Sequence, residues 1–378
     1  MVQLPDEILE KILCRLSVKD LFRFKCVSKS WFTLISSPYF VKLHLNRSVQ
    51  TKSNLSLFLR DYHLFRVDFN SLEDFKEEGF LRPVEIDYLA SRYPYYEISI
   101  CGSCDGLLCM SIHDIMKNVF LWNPSTKKSI QLPLPPPVST AVSTADKLNS
   151  FVYRFGYDNT NNDYKVVKLM FFKIRESIED YEIKVYSLKS NSWHIPKKFP
   201  YCPKLKSIGD SITCGAMHWI SKVGSEKKRS IVAFDLGTEI YRVISLPELS
   251  DSYYYLYLDN LEGCLSATCS YHSSNVDIFL LKEYGGKNEH WSKLITISQP
   301  LISIGSFYTV KAIAYSKCGK KVLFLMDYER LIWYNLEDKS DEEIMFLGIE
   351  DLDEVYTCME SIVSLDVPEA VPANPNLI

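Results

Sequence analysis

The chain has 378 residues, of which 47% are apolar and 24% are charged, and its formal net charge is −4. These proportions are ordinary for a soluble globular protein, and the basic excess typical of a nucleic-acid-binding protein is missing. No apolar run approaches the roughly eighteen residues of a membrane span, and the first residues lack a signal-peptide pattern, so we expect neither nucleic acid nor membrane as a partner.

The eleven cysteines indicate a reducing compartment. Their number is odd, and they are dispersed through apolar stretches, as at Cys109, Cys214 and Cys269, where they resemble small buried hydrophobic residues. We therefore expect a location in the cytoplasm and/or the nucleus. We also expect no disulfide in the native protein, no bound metal and no cofactor.

Three short amphipathic helices are predicted within the first forty residues. Pro5 suits the first position of a helix, and Ile8, Leu9, Ile12 and Leu16 then recur at helical spacing. Their periodicity predicts one apolar stripe along this helix, with charged residues on the other side.

Serine residues mark the start of the next elements. Ser17 can cap a second helix that carries Leu21, and Ser28 can cap a third that carries Trp31. The Ser37–Pro38 pair then ends the third helix and begins a further turn. About forty residues are too few to bury so much apolar surface alone, which predicts cover from a partner protein.

At these residues the stretch resembles the F-box, through 4–9 (LPDEIL), 12–16 (ILCRL), 21–24 (LFRF), 27–31 (VSKSW) and 34–40 (LISSPYF). The resemblance implies docking onto a Skp1-type adaptor and, through it, onto a cullin. The matching interface positions are Leu4, Pro5, Ile8, Leu9, Ile12, Leu16, Leu21, Val27 and Trp31. An alternative is that the helices cap the chain's own body, and both interpretations can hold for different helix faces.

After the helices the pattern changes to apolar strands separated by polar turns. One unit recurs six times, and its strand ends in a large residue: Val67, Trp122, Tyr186, Phe234, Phe279 or Tyr334. These anchors recur about every 50 residues, the period of kelch-like propeller blades. The sequence therefore predicts a small all-α F-box of three short helices (1–45), an all-β, kelch-like β-propeller, six-bladed by this count (52–365), and a flexible tail (366–378).

The second part resembles the plant F-box-associated domain, type 1, at 102–108 (GSCDGLL), 121–126 (LWNPST), 155–158 (FGYD), 163–167 (DYKVV) and 234–236 (FDL). Within that family it is similar to the "constitutive expresser of pathogenesis-related genes" F-box proteins, at 58–61, 67–72, 185–189 and 281–284. That group implies turnover of intracellular immune receptors and a role in plant defense. The chain is also similar to S-locus F-box proteins, which implies capture of ribonucleases.

Two patterns that could carry chemistry are better explained by structure. Gly102-x-Cys104-x-Gly106 has the form of a nucleophile elbow, but a strand pattern follows it where the elbow needs a helix, so a hairpin is predicted. Cys101, Cys104, Cys109 and His113 could supply zinc ligands, but strand alternation would direct them to opposite faces. We therefore expect no catalytic residue and no metal site.

Alternate tyrosines are the weak candidates for contact with a target. Tyr253, Tyr255 and Tyr257 fall in one predicted strand and would present an aromatic surface on one side. Packing between blades is an equally good explanation. Acidic residues at 341–343 and 350–354 could select a basic partner or keep the last blade soluble.

The predicted function is the substrate-recognition subunit of an SCF-type (Skp1–cullin–F-box) E3 ubiquitin ligase, which recruits a target protein for ubiquitination and proteasomal degradation. The chain itself would be non-catalytic. The alternatives are an S-locus-type receptor for ribonucleases, or a propeller lectin or enzyme whose helices form a cap. The last of these needs polar groups that converge at the mouth of the ring.

Overall fold

The computed structural model describes residues 5–61, 63–75, 79–86, 98–112, 118–138, 147–175, 178–199, 203–225, 227–249, 254–271, 275–349 and 352–365. Leu4, His113, Tyr253 and the predicted tail at 366–378 lie outside these residues. The described chain begins with helices α1 (Asp6–Leu13), α2 (Val18–Phe24), α3 (Lys29–Ser36) and α4 (Pro38–Thr51). Antiparallel β-sheets make up most of the remainder.

The predicted caps start the second and third helices. The Ser17 side chain accepts a hydrogen bond from the Asp20 amide, and the Ser28 side chain accepts one from the Trp31 amide, both at 3.2 Å. Each serine satisfies an amide that has no partner within its helix. Helix starts in this segment are therefore encoded locally.

Helix α4 makes the helical segment longer than the predicted boundary at residue 45. It is 14 residues long and starts where the Ser37 side chain accepts a hydrogen bond from the Phe40 amide. Its inner face buries Phe40, His44 and Ser48, each four residues apart. A histidine and a serine at buried positions weaken the apolar periodicity, which is why only a turn was predicted here.

The strands form six sheets, which are the blades of the propeller. Blade 1 contains β1 (Leu55–Arg60), β2 (Leu64–Asp68) and β3 (Val84–Glu85), with the short helix α5 (Phe69–Glu73) after β2. Blade 2 contains β4 (Ile98–Cys104), β5 (Leu107–Ile112), β6 (Val119–Asn123) and β7 (Lys128–Gln131). Blade 3 contains β8 (Lys147–Asp158), β9 (Asp163–Arg175), β10 (Ile178–Ser187) and β11 (Ser192–His194).

The last three blades follow in chain order. Blade 4 contains β12 (Ala216–Val223), β13 (Lys228–Asp235) and β14 (Tyr241–Ile244), and its inner position is taken by an irregular segment with a 3₁₀ helix (Leu205–Ser207). Blade 5 contains β15 (Tyr254–Leu261), β16 (Cys264–Tyr271), β17 (Asn275–Lys282) and β18 (His290–Ser298). Blade 6 contains β19 (Val310–Tyr315), β20 (Lys321–Met326), β21 (Arg330–Asn335) and β22 (Asp341–Ile344).

The ring is closed by strand β23 (Glu354–Met359), which completes blade 1 as its innermost strand. It pairs antiparallel with β1, with Leu57 opposite Thr357. Blade 1 is thus built from two ends of the propeller sequence, and the inferred ring closure is confirmed. Closure covers strand edges that an open array of sheets would leave exposed.

Apolar clusters lie at each of the six junctions between neighbouring blades in the described structure. All six predicted anchors are buried there, and each lies in the strand next to the outer edge of its blade. At the first junction, for example, Phe58 and Trp122 meet edge to face with ring centroids 6.1 Å apart. The predicted fold class, helices followed by a six-bladed propeller, is confirmed.

The helices lie on one side of the ring. We call this side the helix face; it carries the turns Asp105–Gly106, Glu262–Gly263 and 316–320 between inner strands. Just after α4, the Lys52 ammonium bonds to the carbonyl oxygens of Tyr315 and Ser316, both at 3.2 Å, and pairs with Glu262 at 2.7 Å. The opposite side, where the turns between second and third strands lie, is the mouth face.

The segment after β23 joins the helices to the ring. Ile362 is buried in the helical core with Leu13, Leu21 and Phe40. The buried Asn123 amide of blade 2 holds this segment by donating to the carbonyl oxygens of Ser361 and Val363, at 3.2 and 2.9 Å. The chain itself therefore covers part of the apolar side of the helices. None of the helices described here is both long and apolar enough to cross a membrane.

Two glycines in equivalent turns give a test of this packing. Gly106 and Gly263 both have positive φ, 81° and 86°, in turns between inner strands. A Cβ on Gly106 would lie 2.3 Å from Ser361 Oγ and 2.4 Å from the Met359 carbonyl oxygen, whereas one on Gly263 would meet nothing within 4 Å. We expect Gly263→Ala to lower the free energy of unfolding by about 1–2 kcal/mol through backbone strain, and Gly106→Ala to lower it by a further ~1–3 kcal/mol.

Urea denaturation of both variants measures the difference. Equal losses would mean that the Asp105–Gly106 turn does not pack against the segment after β23.

Candidate functional site

Two surfaces on opposite sides of the ring are candidates for function, and the first is the apolar surface of the helices. Ile8 and Ile12 lie one turn apart on α1 and are 46% and 47% exposed, and Val27, after α2, is 60% exposed. Pro5 precedes α1 and is also exposed. We call Pro5, Ile8, Ile12 and Val27 the helical apolar surface. These predicted positions are open to a partner.

The other predicted positions on the helices are less accessible. Leu9, Leu16 and Trp31 are half-buried against the helical core, and the Trp31 ring meets Phe24 edge to face with centroids 5.4 Å apart. Leu21 is fully buried in that core. Its side chain supports the helix packing in this structure, and its predicted contact with the adaptor stays a prediction.

Phe32, which was not singled out from the sequence, adds to the exposed apolar side chains of the helices. The Lys25 ammonium lies over the rings of Phe22 and Phe32, 5.3 and 5.9 Å from their centroids. Burial, together with the nearby Lys128, lowers the pKa of Lys25. The only sequence signal for Phe32 was its place in the predicted third helix, directly after Trp31.

The helices have one packed side and one exposed side. One side, with Leu13, Leu21, Ile35 and Phe40, packs inward and takes Ile362 from the segment after β23. The other side leaves Ile8, Ile12 and Val27 in solvent. The helices are thus an internal cap on one side and an uncovered apolar surface on the other.

The second surface is a ring of tyrosines on the mouth face. Tyr255, Tyr308 and Tyr328 are 61%, 88% and 45% exposed, and Tyr257 is half-buried beside Tyr328 in a shared cavity. We call these four residues the tyrosine rim. Only Tyr255 and Tyr257 were predicted from the sequence.

The strand geometry turns Tyr255 and Tyr257 away from the junction between blades 4 and 5. Tyr255 and Tyr257 alternate along β15 with Leu256 and Leu258, and the two leucines pack in the cluster between blades 4 and 5. The tyrosines therefore point away from that cluster. Tyr308 is placed by its amide, which donates to the Asp327 carboxylate at 2.7 Å.

Charged groups converge below the tyrosine rim. Two adjoining cavities, of about 530 and 540 Å³, share Arg154, Asp210, Lys311 and Tyr328 in their walls. The Lys311 ammonium lies 3.1 Å from Asp210 and 3.0 Å from Asp259, and Arg154 lies 3.3 Å from Asp210. Asp210 belongs to the irregular inner segment of blade 4, so that departure from a regular strand places a carboxylate at the centre of the ring.

The ionisation of this cluster follows from its pairing. Burial alone lowers the pKa of Lys311, but the two carboxylates outweigh it and raise that pKa well above its usual value. Burial tends to raise the pKa of Asp210, and Lys311 with Arg154 reverse the effect and lower it. For Asp259 burial dominates and the pKa is raised. Lys311 lies between the two carboxylates and pairs with both. These ion pairs hold the cavity walls together and leave neither carboxylate free to act as a general acid or base.

The glycine-flanked cysteine lies in a hairpin, as predicted. Asp105 and Gly106 form the turn between β4 and β5, both with positive φ. Burial raises the pKa of the Cys104 thiol well above its usual value, which disfavours the thiolate that a nucleophile requires. Within the described ranges, no three His, Cys, Asp or Glu side chains are grouped to hold a metal ion, and His113 lies outside those ranges.

Comparison with known proteins finds a matching domain family for each of the two parts of the chain. Residues 1–43 match the F-box domain, and residues 58–367 match the F-box associated beta propeller domain. The chain is 31% identical to F-box protein CPR1 of Arabidopsis thaliana, over 96% of this chain and 88% of CPR1.

Two further Arabidopsis thaliana proteins are similar over most of their length. F-box/kelch-repeat protein At3g23880 is 32% identical, over 78% of this chain and 79% of its own. F-box protein At4g22390 is 29% identical, over 90% of this chain and 85% of its own. With the two domains matched in the order in which the structure shows helices and ring, the chain belongs to the F-box proteins that carry an F-box-associated β-propeller domain.

Proposed function

We propose that this chain is the substrate-recognition subunit of an SCF-type E3 ubiquitin ligase. The helical apolar surface binds a Skp1-type adaptor, and through it a cullin, while the mouth face of the propeller binds a target protein. The observation that carries the proposal is the exposure of Ile8 and Ile12 on α1 and of Val27 after α2, in a helical segment whose other side packs into a core. Uncovered apolar side chains on so small a helical unit favour a protein partner.

The two surfaces can be occupied together. The helices contact the inner turns on the helix face, as the bonds of Lys52 to Tyr315 and Ser316 show. The tyrosine rim lies at the other end of the same strands, since Tyr308 is held by Asp327 in the turn between β20 and β21. A target bound there would not compete with the adaptor for space.

In this proposal the chain contributes position and no chemical step. Holding a target near a ubiquitin-loaded enzyme raises the effective concentration of the reacting groups, and that needs no acid, base or nucleophile from this protein. The target becomes ubiquitinated and is then degraded by the proteasome. From the sequence resemblance we infer that the target is an intracellular immune receptor. The protein would then act in plant defense, in the cytoplasm and/or the nucleus.

The tyrosine rim is the surface we infer for the target. Tyrosines are favoured anchors of protein interfaces because a rigid ring buries much area at a small entropic cost. Their exposure around a channel mouth gives several anchors that one partner can engage. A ribonuclease, the target implied by the S-locus resemblance, would use the same rim.

One observation supports the alternative that the protein is a lectin or an enzyme: polar groups converge at the mouth of the ring. These groups are already bonded to each other, with Lys311 within 3.1 Å of two carboxylates. A sugar or reacting substrate would have to displace those bonds. The adaptor experiment below discriminates between the two functions, because a lectin with a helical cap has no reason to bind Skp1.

A charge at Ile8 tests the adaptor surface. We expect Ile8→Asp to weaken binding of a purified Skp1-type adaptor about a hundredfold or more. The variant loses apolar burial worth roughly 1.5–3 kcal/mol and also buries a carboxylate. Isothermal titration measures the loss. Because Ile8 is outside the helical core, the melting temperature should stay within about 2 °C of the parent protein.

Two controls complete this test. Val49→Asp introduces the same charge at an exposed position of α4 beyond the matched F-box residues, and should leave adaptor binding unchanged. Leu21→Asp should instead unfold the helices, since Leu21 is fully buried. If Ile8→Asp keeps the adaptor, or melts like Leu21→Asp, the helices are an internal cap and the ligase proposal fails.

Removing two rings tests the target surface. When this chain is used as bait in plant cells, a proteasome inhibitor should make its target accumulate on it. We expect the double variant Tyr255→Ala, Tyr308→Ala to capture at least tenfold less of that accumulated protein. Each aromatic anchor of an interface is worth about 2 kcal/mol when truncated. Quantitative mass spectrometry of the captured proteins measures the loss, and the Skp1-type adaptor in the same sample should be unchanged.

The matched control is Tyr39→Ala, which removes an equally exposed tyrosine on α4. It should keep the accumulated protein at the parent level. Undiminished capture by the double variant would place the target elsewhere on the ring.

A further inference from the structure

Two buried cysteines face each other across the inner hairpin of blade 2. Cys101 lies on β4 and Cys109 on β5. Ile100 pairs with Met110 and Gly102 pairs with Cys109, so Cys101 is the extra residue of a β-bulge. In such a bulge two residues of one strand oppose one residue of the other, which places Cys101 beside Cys109.

Their side chains are in contact with each other. Both belong to the apolar cluster between blades 2 and 3, so the two buried side chains pack into the same part of the core. Gly102 lies directly opposite Cys109, where Cα atoms are about 4.5–5.5 Å apart, and the bulge sets its neighbour Cys101 against the same partner, near the separation that a disulfide spans. The described cysteines are free thiols, so this pair is in its reduced form.

We propose that Cys101 and Cys109 form a thiol-oxidation site, which a peroxide converts into a disulfide across the β4–β5 hairpin. In the first step the Cys101 thiolate attacks one peroxide oxygen and the O–O bond breaks. The leaving hydroxide takes up the proton that the Cys101 thiol released, so Cys101 sulfenic acid and water are formed. In the second step the Cys109 sulfur attacks the sulfenic sulfur and water leaves. The two thiols together give up two electrons and two protons, and one hydrogen peroxide becomes two waters.

The two sulfurs have different roles because their surroundings differ. Cys101 is 6% exposed and lines the cavity below the tyrosine rim, whereas Cys109 is fully buried behind it. A small oxidant that enters the channel therefore meets Cys101 first. The neighbouring Cys109 side chain lowers the pKa of Cys101, with help from Ser111 and Arg154, while burial raises that of Cys109. Cys101 is the attacking thiol and Cys109 the resolving one.

The site is separate from both surfaces of the proposed function. It uses neither a residue of the helical apolar surface nor one of the tyrosine rim, and it needs no partner protein. The disulfide would cross-link β4 and β5 within the innermost ladder of blade 2, which packs against β23 and Tyr153. Oxidation would thus act on the blade that adjoins the closing strand.

The experiment uses the full chain, bound to its adaptor where this is needed for solubility. The protein is treated with hydrogen peroxide, denatured, alkylated with N-ethylmaleimide and analysed by peptide mass spectrometry. We expect the loss of two alkylated sites and one linked species, about 2 Da below the sum of the reduced peptides that contain Cys101 and Cys109. Dithiothreitol should restore both alkylated sites.

Three variants identify the roles. In Cys109→Ser the disulfide cannot form, and dimedone should label the sulfenic acid at Cys101. In the Cys101→Ser variant, Cys109 should form neither a disulfide nor a sulfenic acid that dimedone labels. Cys269→Ser, which removes a buried thiol of blade 5 that faces Leu256 and Asp277 across its strands, should form the Cys101–Cys109 link as the parent does.

A melting temperature for each variant verifies folding, and Cys109→Ala replaces Cys109→Ser if the buried hydroxyl unfolds the blade. Full alkylation of Cys101 and Cys109 after peroxide treatment would overturn the proposal. A disulfide from Cys101 or Cys109 to any other cysteine would also overturn it. So would the reverse labelling pattern, in which dimedone labels Cys109 in the Cys101→Ser variant but does not label Cys101 in the Cys109→Ser variant.

Discussion

Apolar packing between neighbouring blades is the interaction on which the rest of this structure depends. No blade has a core of its own, because each sheet is one layer thick and buries its faces only against the sheets on either side. Leu57 of β1 and Trp333 of β21 share one such junction, and Phe234 and Phe279 belong to two others. Since every blade needs two neighbours, the ring must close, and the pairing of β23 with β1 closes it. The tyrosine rim and the docked helices both rely on that closed frame.

Most of the fold could be predicted because strands buried on both faces give short, continuous apolar runs. That signal identified the six anchors, from Val67 to Tyr334, which the structure places in the strand next to the outer edge of each blade. It failed where polar residues are buried by specific bonds. In α4 the His44 ring bonds to the Leu16 carbonyl oxygen at 2.9 Å, and burial lowers its pKa, so a neutral histidine fills a core position. The irregular inner segment of blade 4 also has no periodic signal.

The candidate site was less predictable for a geometric reason. Periodicity shows that Ile8, Ile12 and Leu21 lie on apolar stripes, but it cannot tell which stripe meets the chain's own body and which meets solvent. That assignment depends on Ile362, which is far away in sequence and packs against Leu21 and Phe40. Tyr308 and Tyr328 lie in connections between strands, where a single tyrosine has no recurring neighbours. They join Tyr255 only through the closed ring, which brings turns from different blades to one mouth.

The position of the closing strand has a consequence for how the protein is made. Strand β1 leaves the ribosome early, but its inner partner β23 follows only after the other five blades have been synthesised. Because synthesis proceeds at about 5–20 residues per second, the inner edge of β1 waits tens of seconds for its native partner. The helical core waits about as long for Ile362. The nascent chain is then an open arc with unpaired backbone at one end, a species that chaperones recognise and that aggregates readily. A premature stop codon before Glu354 would make this state permanent, and such a chain would itself become a substrate for degradation.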